Sequence, residues 1–109
     1  MSKVAIWAQL DAKPGKEQEV EAFLESAQPL AEAEPGTVSW YAVKIGPSSY
    51  GIFDIFADDA GRDAHLNGEI AKALMAKAEE LLAKPPSIHK INVLAAKTGG
   101  TQATAKARA

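Results

Sequence analysis

The 109-residue sequence predicts an α+β fold with the element order β-α-β-β-α-β. Three observations predict this fold. Apolar residues alternate with polar ones in four short segments, they recur at helical spacing in two longer segments, and the short turn GPSS joins the second and third strands. The length suits one domain with one modest core. We expect this domain to occupy residues 1–97 and to be followed by a tail, residues 98–109.

The first strand and the first helix are predicted from a change of period near residue 12. Residues 3–11, KVAIWAQLD, alternate as in a strand, and residues 12–34 follow the helical period. Pro14 fits a first helical turn, whereas Pro29 must kink or interrupt the helix near its end because proline cannot donate a hydrogen bond. The apolar stripe of this helix contains Val20, Phe23, Leu24, Ala27 and Ala31.

The second half of the chain predicts a hairpin, an interrupted helix and a last strand. Residues 37–45, TVSWYAVKI, and 50–57, YGIFDIFA, are the paired strands of the hairpin. The next helix begins after Asp58 or Asp59, is interrupted at Gly68 and stops before a Lys-Pro-Pro sequence. Residues 87–96, SIHKINVLAA, form the fourth strand. This order is that of the ferredoxin-like unit, a four-stranded antiparallel sheet with both helices on one face.

Both faces of the predicted sheet are apolar, although two helices can cover only one of them. In the first strand, Val4 and Ile6 lie on one face, whereas Ala5 and Trp7 lie on the other. A monomer would therefore expose an apolar sheet surface at the limit of what monomeric proteins tolerate. A second copy, placed sheet against sheet, is the natural cover. We expect an obligate homodimer with a barrel-like centre.

Composition excludes several classes of function. No apolar run approaches the length of a membrane span, and the N-terminal segment is a poor signal peptide, so we expect no membrane partner and a cytoplasmic protein. The absence of cysteine removes disulfides, thiolate catalysis and thiolate metal sites. Residues 1–96 carry nine basic and 14 acidic residues, a net charge of −5, which argues against nucleic acid. Residues 98–109 have no aromatic or branched aliphatic residue, and we expect them to be disordered.

His65 and Asp54 are the leading candidates for chemistry. A carboxylate can orient an imidazole that acts as general base on a phenolic hydroxyl, and the resulting electron-rich anion can pass one electron to O2. The alternative is structural, because His65 could equally brace the junction between the third strand and the second helix through Asp54 or Asp58. The two histidines, His65 and His89, are far apart and have no patterned carboxylates between them, so we expect no metal site.

Three further residues are candidates for substrate binding. Trp40 and Tyr50 each have a polar tip and could line a pocket for a flat ring. Asn67 could orient a carbonyl or dioxygen by hydrogen bonding. Each has a structural alternative. The aromatic residues could belong to the core or to the dimer interface, and Asn67-Gly68 could simply end a helix. For Arg62 we expect a solvated helix face, and for His89 a structural role.

Three segments carry a resemblance to a known family. In their order and spacing, KPGKEQEVEAFL, EPGTVSWYAVKI and YGIFDIFADDAGRDAHLNGEIAKAL resemble the antibiotic biosynthesis monooxygenase family, over roughly residues 3–95. The resemblance implies a dimeric α+β barrel of ferredoxin-like halves. It also implies oxidation of a small aromatic or quinol-type substrate by O2, with no metal, flavin or haem group as cofactor. His65 matches the family's Ala-His position, Asp54 stands where many members have Glu, and Glu69 stands near where many have a second His.

The resemblance leaves two other functions open. Some relatives degrade haem, so a haem-binding or haem-degrading enzyme of the same fold is one alternative. A non-catalytic dimeric module that binds a small ligand is the other, and the residues at positions 54 and 69 favour it.

Overall fold

The computed structural model describes residues 3–98, in which four strands and three helices lie. The elements are β1 (Lys3–Asp11), α1 (Glu17–Glu32), β2 (Thr37–Lys44), β3 (Ser49–Phe56), α2 (Asp59–Leu66), α3 (Glu69–Leu81) and β4 (Ser87–Val93). Residues 99–109 of the expected tail lie outside the described residues.

The four strands form one antiparallel sheet in the order β2-β3-β1-β4. This is the order that a β-α-β-β-α-β chain produces when each β-α-β half interleaves with the other. The predicted α+β, ferredoxin-like fold is therefore confirmed. No helix within residues 3–98 is long and apolar enough to cross a membrane.

Helix α1 lies close to its predicted position, with two differences at its prolines. It begins at Glu17, where acidic side chains in the first turn favour a helix N-terminus. Pro14 is not in the first helical turn, because the chain turns at Gly15 with a φ of 86° before the helix starts. The helix also continues through Pro29 to Glu32. Its buried side chains are those of the predicted stripe: Val20, Leu24, Ala27 and Ala31.

The second helical region is interrupted where the sequence predicts. Asp58 caps α2, since its Oδ1 atom accepts a hydrogen bond of 2.8 Å from the Gly61 amide. The helix ends at Asn67, and α3 begins after Gly68. This break directs α2 across β1, β2 and β3, whereas α3 packs against α1.

The core lies between the helices and one face of the sheet. Because side chains alternate along a strand, β1 and β3 both send their even-numbered residues to this face. The buried core cluster consists of Ile6, Ala8, Leu10, Ala12, Val20, Leu24, Tyr50, Ile52, Phe56, Leu74, Leu81 and Leu82.

No helix of residues 3–98 lies on the opposite face of the sheet, and this face is rich in apolar side chains. Strand register places Tyr41, Phe53 and Trp7 side by side across β2, β3 and β1, and His89 of β4 completes the row. The Tyr41 side chain is 56% exposed. We call this face the outer sheet face.

Two glycines join α2 to the turn that precedes β2. A Cβ atom at Gly36 would lie 2.8 Å from the Gly61 Cα atom, and one at Gly61 would lie 2.8 Å from the Gly36 oxygen. The Gly36 oxygen also accepts a hydrogen bond of 3.2 Å from the Ala57 amide. Only glycine permits this approach, which holds the turn against the helix.

Alanine at position 36 is therefore expected to destabilise the domain. Gly36→Ala forces two backbone segments apart, and we expect a loss of about 1 to 3 kcal/mol in the free energy of unfolding, measured by denaturant titration. Gly46 is the matched control, because a Cβ atom there would meet nothing within 4 Å. Gly46→Ala should change the value by less than about 0.5 kcal/mol, and equal losses at both positions would contradict the steric explanation.

Candidate functional site

His65 lies near the end of α2 and is held between two carboxylates. Its Nδ1 atom is 2.7 Å from Glu34 Oε1, and its Nε2 atom is 3.0 Å from Asp54 Oδ2. The His65 side chain is 9% exposed, that of Glu34 is 21% exposed and that of Asp54 is 0% exposed. The imidazole thus connects the turn before β2, the centre of β3 and helix α2.

The two contacts of His65 differ in kind. The Nδ1 contact with Glu34 is a hydrogen bond, whereas the Nε2 contact with Asp54 has ion-pair distance without the alignment of a hydrogen bond. Within residues 3–98, neither Asp54 oxygen has an aligned hydrogen-bond donor. His65, 3.0 Å away, is therefore the group that compensates the buried Asp54 carboxylate.

The surroundings favour the protonated form of His65. Burial is the largest single influence and lowers its pKa, but the contacts with Asp54 and Glu34 together outweigh burial, so the pKa of His65 is raised. The distances agree with this direction, because each ring nitrogen lies within 3.0 Å of a carboxylate oxygen and a neutral imidazole carries a proton on only one of its two nitrogens.

An open cleft of about 720 Å³ lies beside this histidine. It is bounded by the end of α1, the turn before β2, the start and end of α2, and the start of α3. Its walls are largely small and apolar, and its titratable side chains belong to Glu34, Asp58, His65 and Glu69. The described lining residues are Leu30, Ala33, Glu34, Pro35, Gly36, Thr37, Ala57, Asp58, Ala60, Gly61, Ala64, His65, Gly68 and Glu69.

Glu34 is the site residue that sequence reasoning missed. Its Oε1 atom accepts hydrogen bonds of 2.7 Å from both His65 and Thr37 Oγ1. The sequence shows it only as the first residue of the EPG turn, and 31 residues separate it from His65. Its place in the EPG motif is the one signal that could have drawn attention to it.

Trp40 lies beside Asp54, one of the two carboxylate partners of His65. It pairs with Asp54 across β2 and β3, so both residues face the helices. The indole packs against Ala27, Ala31 and Ile70, and its buried Nε1 atom has no hydrogen-bond partner within residues 3–98. Trp40 is a neighbour of Asp54 but does not line the cleft.

Tyr50 lies apart from this cluster. It is four residues before Asp54 on the same strand, roughly 13 Å along it. Its hydroxyl donates a hydrogen bond of 2.7 Å to Glu21 Oε2, so it anchors β3 to α1. Burial first, and then the Glu21 carboxylate, raise the pKa of Tyr50 to about 12, which keeps the phenol neutral.

Asn67 and Arg62 have structural partners. The Asn67 Nδ2 atom donates a hydrogen bond of 2.8 Å to the Asp63 oxygen, at the end of α2. The expectation that Arg62 occupies a solvated helix face is wrong, because its side chain is only 13% exposed. Arg62 Nη1 lies 3.3 Å from the Ala5 oxygen and 3.2 Å from the Ile91 oxygen, so the guanidinium fastens α2 to β1 and β4.

The geometry does not assemble a metal site around His65. Its two carboxylate partners lie at opposite ring nitrogens, so their oxygens do not converge on one point. Within the described part of the chain, no group of three or more His, Asp or Glu side chains could hold a metal ion.

These features define a ferredoxin-like α+β domain with a histidine–dicarboxylate unit beside a cleft. Residues 4–77 match the family model described as antibiotic biosynthesis monooxygenase. The chain belongs to this family. None of the curated proteins compared matches the chain.

Solved structures support the fold. A protein of unknown function from Nitrosomonas europaea (NE2512) is 57% identical, with a TM-score of 0.87 over 91% of this chain and 96% of that chain. Rv0793 from Mycobacterium tuberculosis is 20% identical, with a TM-score of 0.79 over 88% and 99%. A candidate antibiotic biosynthesis monooxygenase from Caulobacter crescentus is 21% identical, with a TM-score of 0.73 over 86% and 92%. The last two similarities concern the fold alone.

Proposed function

We propose that this protein is a cofactor-independent monooxygenase that oxidises a small aromatic or quinol-type substrate with O2. Family membership supports an oxygenase role. The observation that carries the proposal is a histidine held between two carboxylates at the wall of an open cleft. In this proposal the substrate binds in the cleft, and His65, Asp54 and Glu34 act together on its hydroxyl.

The unit can accept one proton from a bound phenol. Counted formally, one imidazolium and two carboxylates give the unit a net charge of −1. Glu34 Oε1 already accepts two hydrogen bonds, whereas its Oε2 atom is free to accept the substrate proton. The positive charge of His65 then stabilises the phenolate, and the buried Asp54 carboxylate holds the imidazole in place.

The oxidation balances without another reductant when the substrate is an anthrone in its enol form. The deprotonated enol passes one electron to O2, and the substrate radical and superoxide then combine to a carbon-bound peroxide. Glu34 returns the proton, which gives a hydroperoxide. Loss of water, formed from the terminal OH and the hydrogen left on that carbon, produces a ketone. One oxygen atom of O2 enters the product and the other enters water.

The other predicted site residues take lesser parts in this proposal. Trp40, which pairs with Asp54 but does not line the cleft, would support the histidine–dicarboxylate unit rather than the substrate ring. Asn67 and Tyr50 are engaged by Asp63 and Glu21 respectively, so their role as lining depends on rearrangement when substrate binds.

We further propose that the functional unit is a homodimer formed through the outer sheet face. This face presents Tyr41, Phe53 and Trp7 in one row, and no helix within residues 3–98 covers it. An interface with this aromatic core would bury apolar surface that is otherwise exposed to water. We also propose that the protein is cytoplasmic.

The haem alternative receives less support from the site. His65 could ligate iron only after one ring nitrogen leaves its carboxylate partner, and His89 lies on the outer sheet face. The ligand-binding alternative uses the same cleft without turnover, and only an activity measurement separates it from the oxygenase.

Oxygen uptake with a panel of hydroquinones, naphthohydroquinols and anthrones tests the proposed function. We expect the protein, treated with a chelator, to consume O2 above the autoxidation rate. Glu34→Gln keeps the side-chain shape and a carbonyl acceptor but loses the basic carboxylate, so we expect at least a tenfold lower turnover. Glu32→Gln, an exposed change two residues earlier on α1, is the matched control and should keep full activity.

Two results would contradict the proposal. Equal activity of the Glu34→Gln and native proteins would remove Glu34 from the proton transfer. Saturable binding of panel compounds without oxygen uptake would favour the ligand-binding module.

A further inference from the structure

The charges around the cleft indicate which substrates it accepts. Its acidic lining residues are Glu34, Asp58 and Glu69, and the only cation among the described lining residues is His65. Asp54 lies behind His65 and adds another negative charge. The basic side chain nearest in sequence, Arg62, is engaged by backbone oxygens of β1 and β4 and by Asp59.

Helix dipoles offset only part of this negative charge. The first residues of α2 and α3 lie at the cleft, and each helix N-terminus contributes roughly half a positive charge. Four carboxylates, one imidazolium and these two helix N-termini leave a net charge of roughly −2, and the C-terminal ends of α1 and α2, which also bound the cleft, make it more negative. The cleft is therefore electrostatically negative, although its walls are mostly apolar.

One carboxylate oxygen in the cleft is free to meet a ligand. Glu34 Oε1 binds His65 and Thr37, whereas Glu34 Oε2 points toward Gly68, where a Cβ atom would lie 3.3 Å from it. Glu69, the next residue, is exposed in the first turn of α3 and lines the same cleft. Two carboxylates thus flank the α3 side of the cleft, and neither forms an ion pair with a lysine or arginine of residues 3–98.

We propose that the cleft selects phenols that carry an ammonium group over their neutral and carboxylate counterparts. This inference rests on the proposed use of the cleft as the substrate site. The ring would lie against the small apolar side chains with its hydroxyl at Glu34 Oε2, as in the proposed reaction. The ammonium group, at the opposite end of the ring, would lie near Glu69. A carboxylate in the same place would meet the like charge of Glu69.

Three phenols of similar shape and different charge test this selectivity. We would measure the binding of 4-(2-aminoethyl)phenol, 4-ethylphenol and 3-(4-hydroxyphenyl)propionate at neutral pH and low ionic strength by NMR titration. We expect the ammonium phenol to bind about fivefold more tightly than the neutral phenol, and the neutral phenol about fivefold more tightly than the carboxylate phenol. A factor of about five is the effect of one close charge pair in water. The differences should shrink in 0.5 M salt, because salt screens exposed charges.

Variants of α3 connect the selectivity to the cleft. Glu69→Gln should reduce the preference for the ammonium phenol about twofold or more. Glu80→Gln, the same change at an exposed residue of α3 outside the cleft lining, should leave the preference unchanged.

The possible outcomes separate this inference from the proposed oxygenase. Equal or tighter binding of the carboxylate phenol would overturn the selectivity, as would failure of all three phenols to bind or an unchanged preference in Glu69→Gln. Ammonium preference without oxygen uptake from any phenol or quinol would support the selectivity and contradict the oxygenase.

Discussion

The His65→Ala variant is expected to lose about 3 to 5 kcal/mol of its free energy of unfolding, measured by denaturant titration at one fixed protein concentration. The physical reason is Asp54, which is completely buried and has His65 as its ion-pair partner. Removing the imidazole leaves a buried carboxylate with no compensating charge. The change also removes the side-chain contacts that connect α2 to β3 and to Glu34.

A double-mutant cycle distinguishes this charge effect from a simple loss of packing. In an Asp54→Asn background the buried charge is absent, so the same His65→Ala change should cost less, by at least about 1 kcal/mol. Equal costs in both backgrounds would mean that the Phe56–His65 contact, with ring centroids 5.1 Å apart, and other packing account for the loss.

The pH dependence of stability gives a second measurement of the same interaction. The pKa of His65 is raised in the folded protein, so the folded state holds its proton more tightly than the unfolded state does. The resulting stabilisation is fully present below the ordinary histidine pKa of about 6.5 and is lost as pH rises through the raised value. The free energy of unfolding should therefore fall with rising pH in this window, and His65→Ala should remove that fall.

The sequence predicts most of the fold because its signals are local. Alternation in KVAIWAQLD and the aromatic residues of β2 and β3 specify strands, and Asn67-Gly68 specifies the break between α2 and α3. The apolar pattern also separates the two faces of the sheet, since Trp40 and Tyr41 point to opposite sides. The sequence favours Pro14 in the first helical turn, whereas the helix begins after it, at Glu17. The reason is that proline suits both a first helical turn and the turn before a helix.

The site could be predicted only in part, because its contacts join distant segments. His65 and Asp54 were both named and lie within ion-pair distance. Glu34 was missed, since no periodicity connects an EPG turn to a helix 31 residues away. Tyr50 and Asn67 have polar groups that satisfy hydrogen bonds elsewhere in the fold, and a side-chain type alone does not reveal such a partner. Arg62 differs in the opposite sense: the sequence predicts that it is solvated, but its guanidinium is buried against backbone oxygens of Ala5 and Ile91. The sequence does not show which backbone oxygens will lie near a side chain.

The Tyr41→Glu variant is expected to dissociate the proposed homodimer. Tyr41 is 56% exposed at the edge of the outer sheet face, beside Phe53. In a two-fold interface each substitution enters twice, so two carboxylates would have to be buried against apolar side chains. We expect the native protein to be dimeric at micromolar concentration in sedimentation velocity, and Tyr41→Glu to weaken association by at least about 100-fold.

Met75→Glu is the matched control for this charge. Met75 is an apolar residue of α3 that is 60% exposed, so the change adds the same charge at similar exposure away from the outer sheet face. It should leave the dimer intact. Dissociation by both variants would indicate a general charge effect, and a dimeric Tyr41→Glu protein would place the interface elsewhere. A monomeric native protein would contradict the dimer itself, and the apolar row of Trp7, Tyr41 and Phe53 would then face water on a stable monomer, which few proteins tolerate.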